Sequence, residues 1–459
     1  MKNFIRFMVL LAGVLSAWFF INQFEGKKPE ISFDFPLYLN KSWEIILDVS
    51  DKGTGLKDIK VSIMQNNKEN LLFEKKYPST LYKGISMGSG IFQDSFKILL
   101  ELSKYDIIDG QAFLKIYISD YSWAGWKKGN ISSLEKKIII DTKPPKIEIL
   151  SGTHNITKGG TGLVIYRVFE NDIKTGVQVG ENFFPGYSGM FKDKNFFAAF
   201  FALNYKQGPG TNIFVKAEDM AGNSIKRGFH YYIRDKKFKT DTLNITNSFL
   251  ARKMPEFNFD SKKEEEFSLA KNPFLQKFIY INSEVRKQNI NELIGNISNL
   301  ENKIMWHGPM LRLPSSANKA GFADYRTYKY KGKTIDSQTH LGIDLASFSR
   351  SPVLAANKGK VIKTKNIGIF GNSIILDHGF GLCSIYSHLS EISVEKGRIV
   401  EKGEIIGKTG STGLAGGDHL HFGVSINNVF VNPVEWWDKK WIQDNILLKI
   451  ENVKMLEND

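Results

Sequence analysis

The sequence predicts a mainly β protein of several domains, entered through one apolar helix. Three observations carry that reading. Short runs such as Asp58-Ile-Lys-Val-Ser-Ile63 and Phe113-Leu-Lys-Ile-Tyr-Ile118 alternate apolar and polar residues and are bounded by turn residues. Asp/Gly turn motifs recur at a spacing of roughly 100 residues, the size of one β-sandwich. A chain of 459 residues, 42 % hydrophobic and 24 % charged, is globular in composition and too long for one core.

Residues 1–28 read as a signal anchor. Lys2 and Arg6 precede an apolar run from Phe7 to Ile21, and Lys27 and Lys28 follow it. A basic start before such a run is an export signal. The run is short of a full span of ~20 residues, and Phe4 and Ile5 extend it if Arg6 snorkels. Ser16-Ala17-Trp18 is a poor cleavage site, and no lipobox cysteine is present. An uncleaved anchor is therefore the first expectation and a cleaved signal peptide the alternative. Either places the bulk of the chain outside the cytoplasm.

Residues 29–143 and 144–235 are expected to form two β-sandwich modules, separated by Pro144-Pro145, which cannot continue a ladder. Asp51-Lys-Gly-Thr-Gly-Leu56 is echoed by Asp172-Ile-Lys-Thr-Gly-Val177, and Asp120-Tyr-Ser-Trp-Ala-Gly125 by Asp219-Met-Ala-Gly222. The Asp-x-Ala-Gly-Asn segment and the Thr-x-Pro-Pro junction resemble bacterial immunoglobulin-like domains. Acidic turns such as Asp48 to Asp51 have the residue types of a calcium loop, but ordinary Asp and Gly turn chemistry accounts for them. Residues 236–304 form a partly helical linker. Lys262-Lys-Glu-Glu-Glu266 reads as a solvated helix face, and Ile290, Leu293, Ile294, Ile297 and Leu300 follow helical spacing. The linker is expected to pack on one of its neighbours.

Within residues 305–438, the stretch from His340 to His421 holds five of the eight histidines: His340, His378, His388, His419 and His421. The stretch His419-Leu-His-Phe-Gly-Val-Ser-Ile426 alternates strictly, with Leu420, Phe422, Val424 and Ile426 on one strand face and both histidines on the other. The Leu382–Leu389 run alternates too, which puts Leu382, Ser384, Tyr386 and His388 on one face. Two histidines at i and i+2, with His340-x-x-x-Asp344 far upstream, suggest a metal site built from separate segments. Cys383, the only cysteine, cannot form an internal disulfide and reads as a small core residue.

These motifs resemble the M23 (LytM/lysostaphin-type) zinc metallopeptidases. His340-x-x-x-Asp344, Tyr386-x-His388-Leu389 and His419-x-His421 stand in that family's order. The glycine-punctuated segment Gly397 to Gly413 and the closing Asn432-Pro433 resemble it as well. The resemblance implies an antiparallel β metallopeptidase domain with Zn2+ as cofactor. By position, His340, Asp344 and His421 are its metal ligands, and His388 and His419 its unligated catalytic histidines. His419 is assigned as the base and His388 as the oxyanion or leaving-group partner, with the exchange of roles left open. His378, in a hairpin, is assigned a structural place. Arg326-Thr-Tyr328 resembles an Arg-x-Tyr that often precedes the first ligand in this family. Packing is the simpler reading of Tyr328 and Tyr330 than a phenol in the cleft. Residues 439–459 form a tail without a recognised motif.

The implied function is hydrolysis of peptide bonds in peptidoglycan stem or cross-bridge peptides. The alternatives are a non-catalytic murein-binding or hydrolase-activating envelope protein and an adhesive surface protein whose β modules contact envelope partners. The net charge of +14 suits an anionic envelope surface. The lysines are spread along the chain and no nucleic-acid-binding motif accompanies them, so no nucleic acid partner is expected.

Overall fold

The computed structural model describes residues 2–82, 85–86, 88–295, 297 and 300–457. Its secondary structure is mainly β, as expected, and it divides into two compact units, Met1–Pro144 with Glu218–Ser224, and Pro145–Ala217 with Ile225–Asp459.

The first unit opens with the helix Lys2–Gln23, exposed along nearly its whole length and long and apolar enough to cross a membrane. Two sheets follow. One joins Glu30–Asp34, Ser42–Ser50 and Gln93–Glu101, and the other runs Tyr38–Leu39, Ile131–Ile140, Gly110–Asp120, Leu56–Gln65, Lys68–Lys76. The two predicted strands pair antiparallel, with Ile59 opposite Ile118 and Ile63 opposite Leu114. Their alternation aims Ile59, Val61, Leu114, Ile116 and Ile118 at Ile45, Leu47 and Val49 of the other sheet, and these residues form one self-contained core. Asn66 and Asn67, both at positive φ, make the two-residue turn of the Gln65–Lys68 hairpin.

In the second unit, Thr161–Val168 lies between Ile147–Ile149 and Phe196–Ala202, and a four-stranded sheet carries Lys174–Val179 and Ile213–Glu218. Their core runs without a break into that of the C-terminal domain. Trp436 is fully buried and donates to Thr161 Oγ1, and the Thr161 N–H donates to Glu435. Tyr187 stacks on Phe380 at 4.9 Å.

The helical segment runs through Pro273–Tyr280, Ile281–Val285, Arg286–Ile290 and Asn291–Gly295. Ile297 and Leu300, which continue the predicted spacing, are not helical, and residues 296, 298 and 299 lie outside the described residues. The segment packs on the C-terminal domain. Asn289 accepts from the Ile369 N–H, Asn282 donates to Asp336, and Phe278 meets the Tyr328 ring.

The C-terminal domain is built on one large sheet in the order Ala317–Ala320, Ile343–Ala346, Leu420–Ile426, Leu382–Leu389, Asn372–Asp377, Gly359–Asn366, Ile399–Val400. Every residue of Leu420–Ile426 and Leu382–Leu389 is buried. These two central strands are covered on both faces, which is why so many of their positions are apolar or internally hydrogen-bonded. The closing Asn432-Pro433 starts a short helix, Pro433–Trp437, with the Asn432 side chain accepting from the Val434 N–H.

Candidate active site

Sheet register brings the distant motifs together. Asp344 is the direct cross-strand partner of His421, and His421 on its other side is the partner of Ser387. His340 directly follows the strand Lys333–Thr339 and is fixed by two backbone bonds, Ala323 N–H to His340 O and His340 N–H to Asp324 O. The result is a tight trio. His340 Nε2 lies 2.9 Å from Asp344 Oδ1 and 3.0 Å from His421 Nδ1, and His421 Nδ1 lies 3.0 Å from Asp344 Oδ1. All three residues are buried. Gly342 makes room for them, since a Cβ there would stand 2.5 Å from His421 Nε2.

The chemistry of the trio follows from the outer nitrogen of His340. Its Nδ1 lies 2.9 Å from Gly321 O, a contact only an N–H can make. In the neutral ring Nε2 is then a bare lone pair, pointed at a carboxylate oxygen. A proton on His421 Nδ1 would serve the two contacts made by that nitrogen but not the one between His340 and Asp344. Three converging acceptors are the arrangement that a small cation relieves, and their donor set of two imidazoles and one carboxylate suits a divalent metal. Burial would push the Asp344 carboxyl up, but with no cation bound the charge His340 carries when protonated, and hydrogen bonds from the surrounding histidines, hold it well below the usual range. It is therefore ionised, as a ligand must be.

Arg326 completes the trio. Its guanidinium donates to Asp344 Oδ2 at 2.8 Å, leaving Oδ1 to the histidines. Burial opposes the charge of Arg326, and the nearby Asp344 more than restores it. The Arg-x-Tyr motif alone does not mark this role of Arg326, whose partner lies 18 residues away. Tyr328 lines the cleft, whereas the Tyr330 hydroxyl bonds Asn247 and Asn272 of the helical segment.

The other two histidines form the second half of the site. His388 and His419 rings lie 4.8 Å apart, and His388 is 5.8 Å from His421. Each is tied at Nδ1 to a backbone carbonyl, His388 to Thr412 O at 2.9 Å and His419 to Gly417 O at 2.8 Å. Their Nε2 atoms are thereby left for the cleft, and that of His419 is 3.6 Å from Asp344 Oδ1. Burial, followed by the neighbouring His419 and His421, pushes His388 well below the usual imidazole range. Burial also disfavours charge on His419, but Asp344 outweighs it and moves that ring up.

The expected common face of Leu382, Ser384, Tyr386 and His388 is corrected at its last member. Tyr386 meets Phe422, on the face of Leu420–Ile426 opposite His421. Strict alternation would carry His388 to that same side. His388 instead has φ 64°, and the strand slips register beside it, which turns its ring onto the His421 side. His378 is fully buried, bonding Lys358 O and Ser384 Oγ at 2.7 Å each, and Cys383 is buried in the core.

The cleft above these residues is a cavity of about 490 Å³. Its far wall comes from the helical segment and the strand before it, through Leu243, Phe249, Phe278 and Arg286. The helix Asn247–Lys253 holds the glycine-rich loop before His419, with Arg252 donating to Gly416 O and Lys253 to Ser411 O. A Cβ at Gly416 or Gly417 would meet nothing within 4 Å, so packing does not demand these glycines.

Known proteins share this domain. The DD-carboxypeptidase/endopeptidase Mpg of Neisseria meningitidis serogroup B is 41 % identical over 95 residues, 21 % of this chain and 22 % of that protein. The peptidoglycan DD-endopeptidase ShyB of Vibrio cholerae is 34 % identical over 109 residues, 24 % of this chain and 25 % of that protein. The chain thus spans about a quarter or less of the length of these relatives. The solved catalytic domain of lysostaphin from Staphylococcus simulans aligns with 28 % of this chain and 98 % of its own length, at 28 % identity and a TM-score of 0.24. Residues 338–433 match peptidase family M23, and the chain carries a domain of that family at its C-terminal end.

Proposed function

We propose that the C-terminal domain is a zinc-dependent endopeptidase that cuts peptide bonds in peptidoglycan stem or cross-bridge peptides. The observation that carries this is the trio of buried acceptor atoms within 3.0 Å of one another, beside two histidines with free Nε2 atoms. His340, Asp344 and His421 would hold the metal, and Arg326 fixes which oxygen of Asp344 faces it. When bound, zinc supplies a Lewis acid that lowers the pKa of water and polarises an amide carbonyl. His419 takes the proton at Nε2, next to the metal position, with its ring angle set by Gly417 O. His388, set by Thr412 O, serves the oxyanion or the leaving group when its Nε2 carries a proton. The apolar wall of Phe249 and Phe278 limits water in the cleft, and the unencumbered Gly416-Gly417 leaves room for small or D-configured residues.

The substrate class rests on the names of the relatives and on placement. The Lys2–Gln23 helix would anchor the chain with residues 29–459 outside the cytoplasm, where murein is the abundant peptide polymer. The two β modules, bounded at 143 and 235, would carry the peptidase and contact envelope partners. A silent murein-binding domain would be expected to lack a ligand, and here all three ligands and both histidines are in place.

The test is to incubate the zinc-loaded protein with purified sacculi and with casein, and to identify products by mass. Muropeptide cleavage that disappears in His419→Ala is the expected result. Casein cleavage without muropeptide cleavage would replace the substrate by general protein, and no cleavage of either would favour a binding role.

A further inference from the structure

We propose that the first β module binds one calcium ion through Glu25, Asp51 and Asp120, where the N-terminal helix meets the module. One carboxylate oxygen of each residue lies within 4.8 Å of the others. Three segments distant in sequence supply them: the exit of the Lys2–Gln23 helix, the loop after Ser42–Ser50, and the end of Gly110–Asp120.

The loops orient these carboxylates with neutral donors. Asp51 Oδ2 accepts from the N–H groups of Gly53 and Gly55 at 3.0 and 2.7 Å. Asp120 Oδ1 accepts from the N–H groups of Ser122 and Asn130, and its Oδ2 from the Asn130 amide. Glu25 Oε1 accepts from the Thr54 N–H and hydroxyl. The independent sign of a ligand is Asp51 Oδ1, a buried oxygen with no hydrogen-bond partner in a residue only 4 % exposed. Its sister oxygen is already doubly occupied, so Oδ1 is the atom with lone pairs to give. Gln23 Oε1, in the residue whose carbonyl accepts from Ser122 Oγ and the Trp123 N–H, is a second buried oxygen without a donor.

A buried carboxylate oxygen left without a donor is costly, and a third carboxylate beside two others raises that cost. Either protons or a cation must relieve it. The donors are all oxygens, with no imidazole or thiolate, which selects a hard cation. Loop carboxylates with backbone-fixed orientation are the ligand type calcium takes, whereas magnesium keeps more of its water.

The ion would act on the helix exit. Glu25 O already accepts from Ser122 Oγ and Asn130 Nδ2, and Phe19, Phe20 and Phe24 pack edge-on around Trp123 at 5.8, 6.1 and 5.8 Å. Calcium would lock this joint and so fix the angle at which the module leaves the helix.

The full-length, zinc-loaded protein in detergent is titrated with terbium and with radioactive calcium. Terbium emission sensitised through Trp123 should saturate at one site per chain and be displaced by calcium, not by equal magnesium. Calcium should bind with a Kd on the order of 10⁻⁴–10⁻³ M, the range of extracellular modules. Glu25→Gln, at the helix exit, and Asp51→Asn, in the loop after Ser42–Ser50, should each weaken it by about tenfold or more, because affinity follows ligand charge. Trp123→Phe should dim terbium and leave calcium affinity intact. Wild-type protein that binds no calcium at about 10 mM, far above that range, would overturn the proposal in favour of protonated carboxylates. So would unchanged affinity in Glu25→Gln.

Discussion

The two histidine pairs of the cleft differ in what their ring nitrogens are left to do. His340 and His421 point nitrogen at one carboxylate oxygen from within 3.0 Å, and His340 has spent its only N–H on Gly321 O. His388 and His419 spend their Nδ1–H on loop carbonyls, and His419 Nε2 stands 3.6 Å from Asp344 Oδ1. His340, His388 and His419 all tie Nδ1 to a backbone carbonyl, so the pairs differ in how near the remaining nitrogen stands to Asp344. On the proposed reading the near pair holds a cation while the far pair moves protons. The most damaging way to break the first pair is His340→Ala or His421→Ala. Each should lose bound zinc and all measurable activity, read by metal analysis beside a cleavage assay. Wild-type zinc content in either variant would remove it from the ligand set.

Breaking the second pair separates the two roles. His388→Ala and His419→Ala should keep one zinc per chain and the wild-type fold while activity falls by about 10²–10⁴, the scale of an acid–base group. Loss of zinc in either would make that histidine a ligand. The acid and basic limbs of the pH–rate profile assign the roles. The variant that still shows the acid limb has not lost the base.

Much of this contrast is legible in the sequence, for a physical reason. Alternation in Leu420–Ile426 puts His421 opposite Phe422, and the spacing His340-x-x-x-Asp344 carries a ligand from a strand entrance to its first residues. What alternation cannot show is a break in itself. His388 reaches the cleft only because its backbone turns to φ 64°, and a histidine carries no sequence mark of that conformation as a glycine would. Arg326 was hidden for another reason: its partner, Asp344, is 18 residues away and meets it only through tertiary packing. The repeated Asp/Gly turns fall among β strands on both sides of Pro144-Pro145, but turns say nothing of what a sheet face packs against. The first module closes its core on itself, and the second shares one with the peptidase domain.

Arg326 offers a finer cut into the first pair. Arg326→Met keeps the ligands and removes the donor to Asp344 Oδ2. Zinc affinity should fall about 10–100-fold, as for other outer-sphere partners, with activity restored at saturating zinc. Affinity equal to wild type, measured by competition with a chelator, would show that the strand alone orients Asp344.

The smallest expected effect decides how cleanly the histidine pairs can be compared across pH. Glu435 lies outside the cleft, partly buried beside Thr161, and desolvation there pushes its carboxyl up to about 8 against the opposing bond from the Thr161 N–H. The folded protein therefore keeps this proton after the unfolded chain has released it at about 4.3. Between those values the folded state binds more protons, so stability is fully present below about pH 4.3 and falls as pH rises through 8. The slope from this one group is at most about 1.4 kcal/mol per pH unit. It acts across the range where histidines titrate, so a basic limb in activity could report unfolding rather than chemistry. Glu435→Gln keeps an acceptor for Thr161 and removes the titration. Its melting temperature should decline less between pH 5.5 and 8 than that of wild type, by up to about 10 °C at roughly 2–4 °C per kcal/mol. In that background, a limb that persists belongs to the cleft. Parallel melting curves for the two proteins would mean that Glu435 is ionised in the fold, and the pH profile of the wild type could then be read directly.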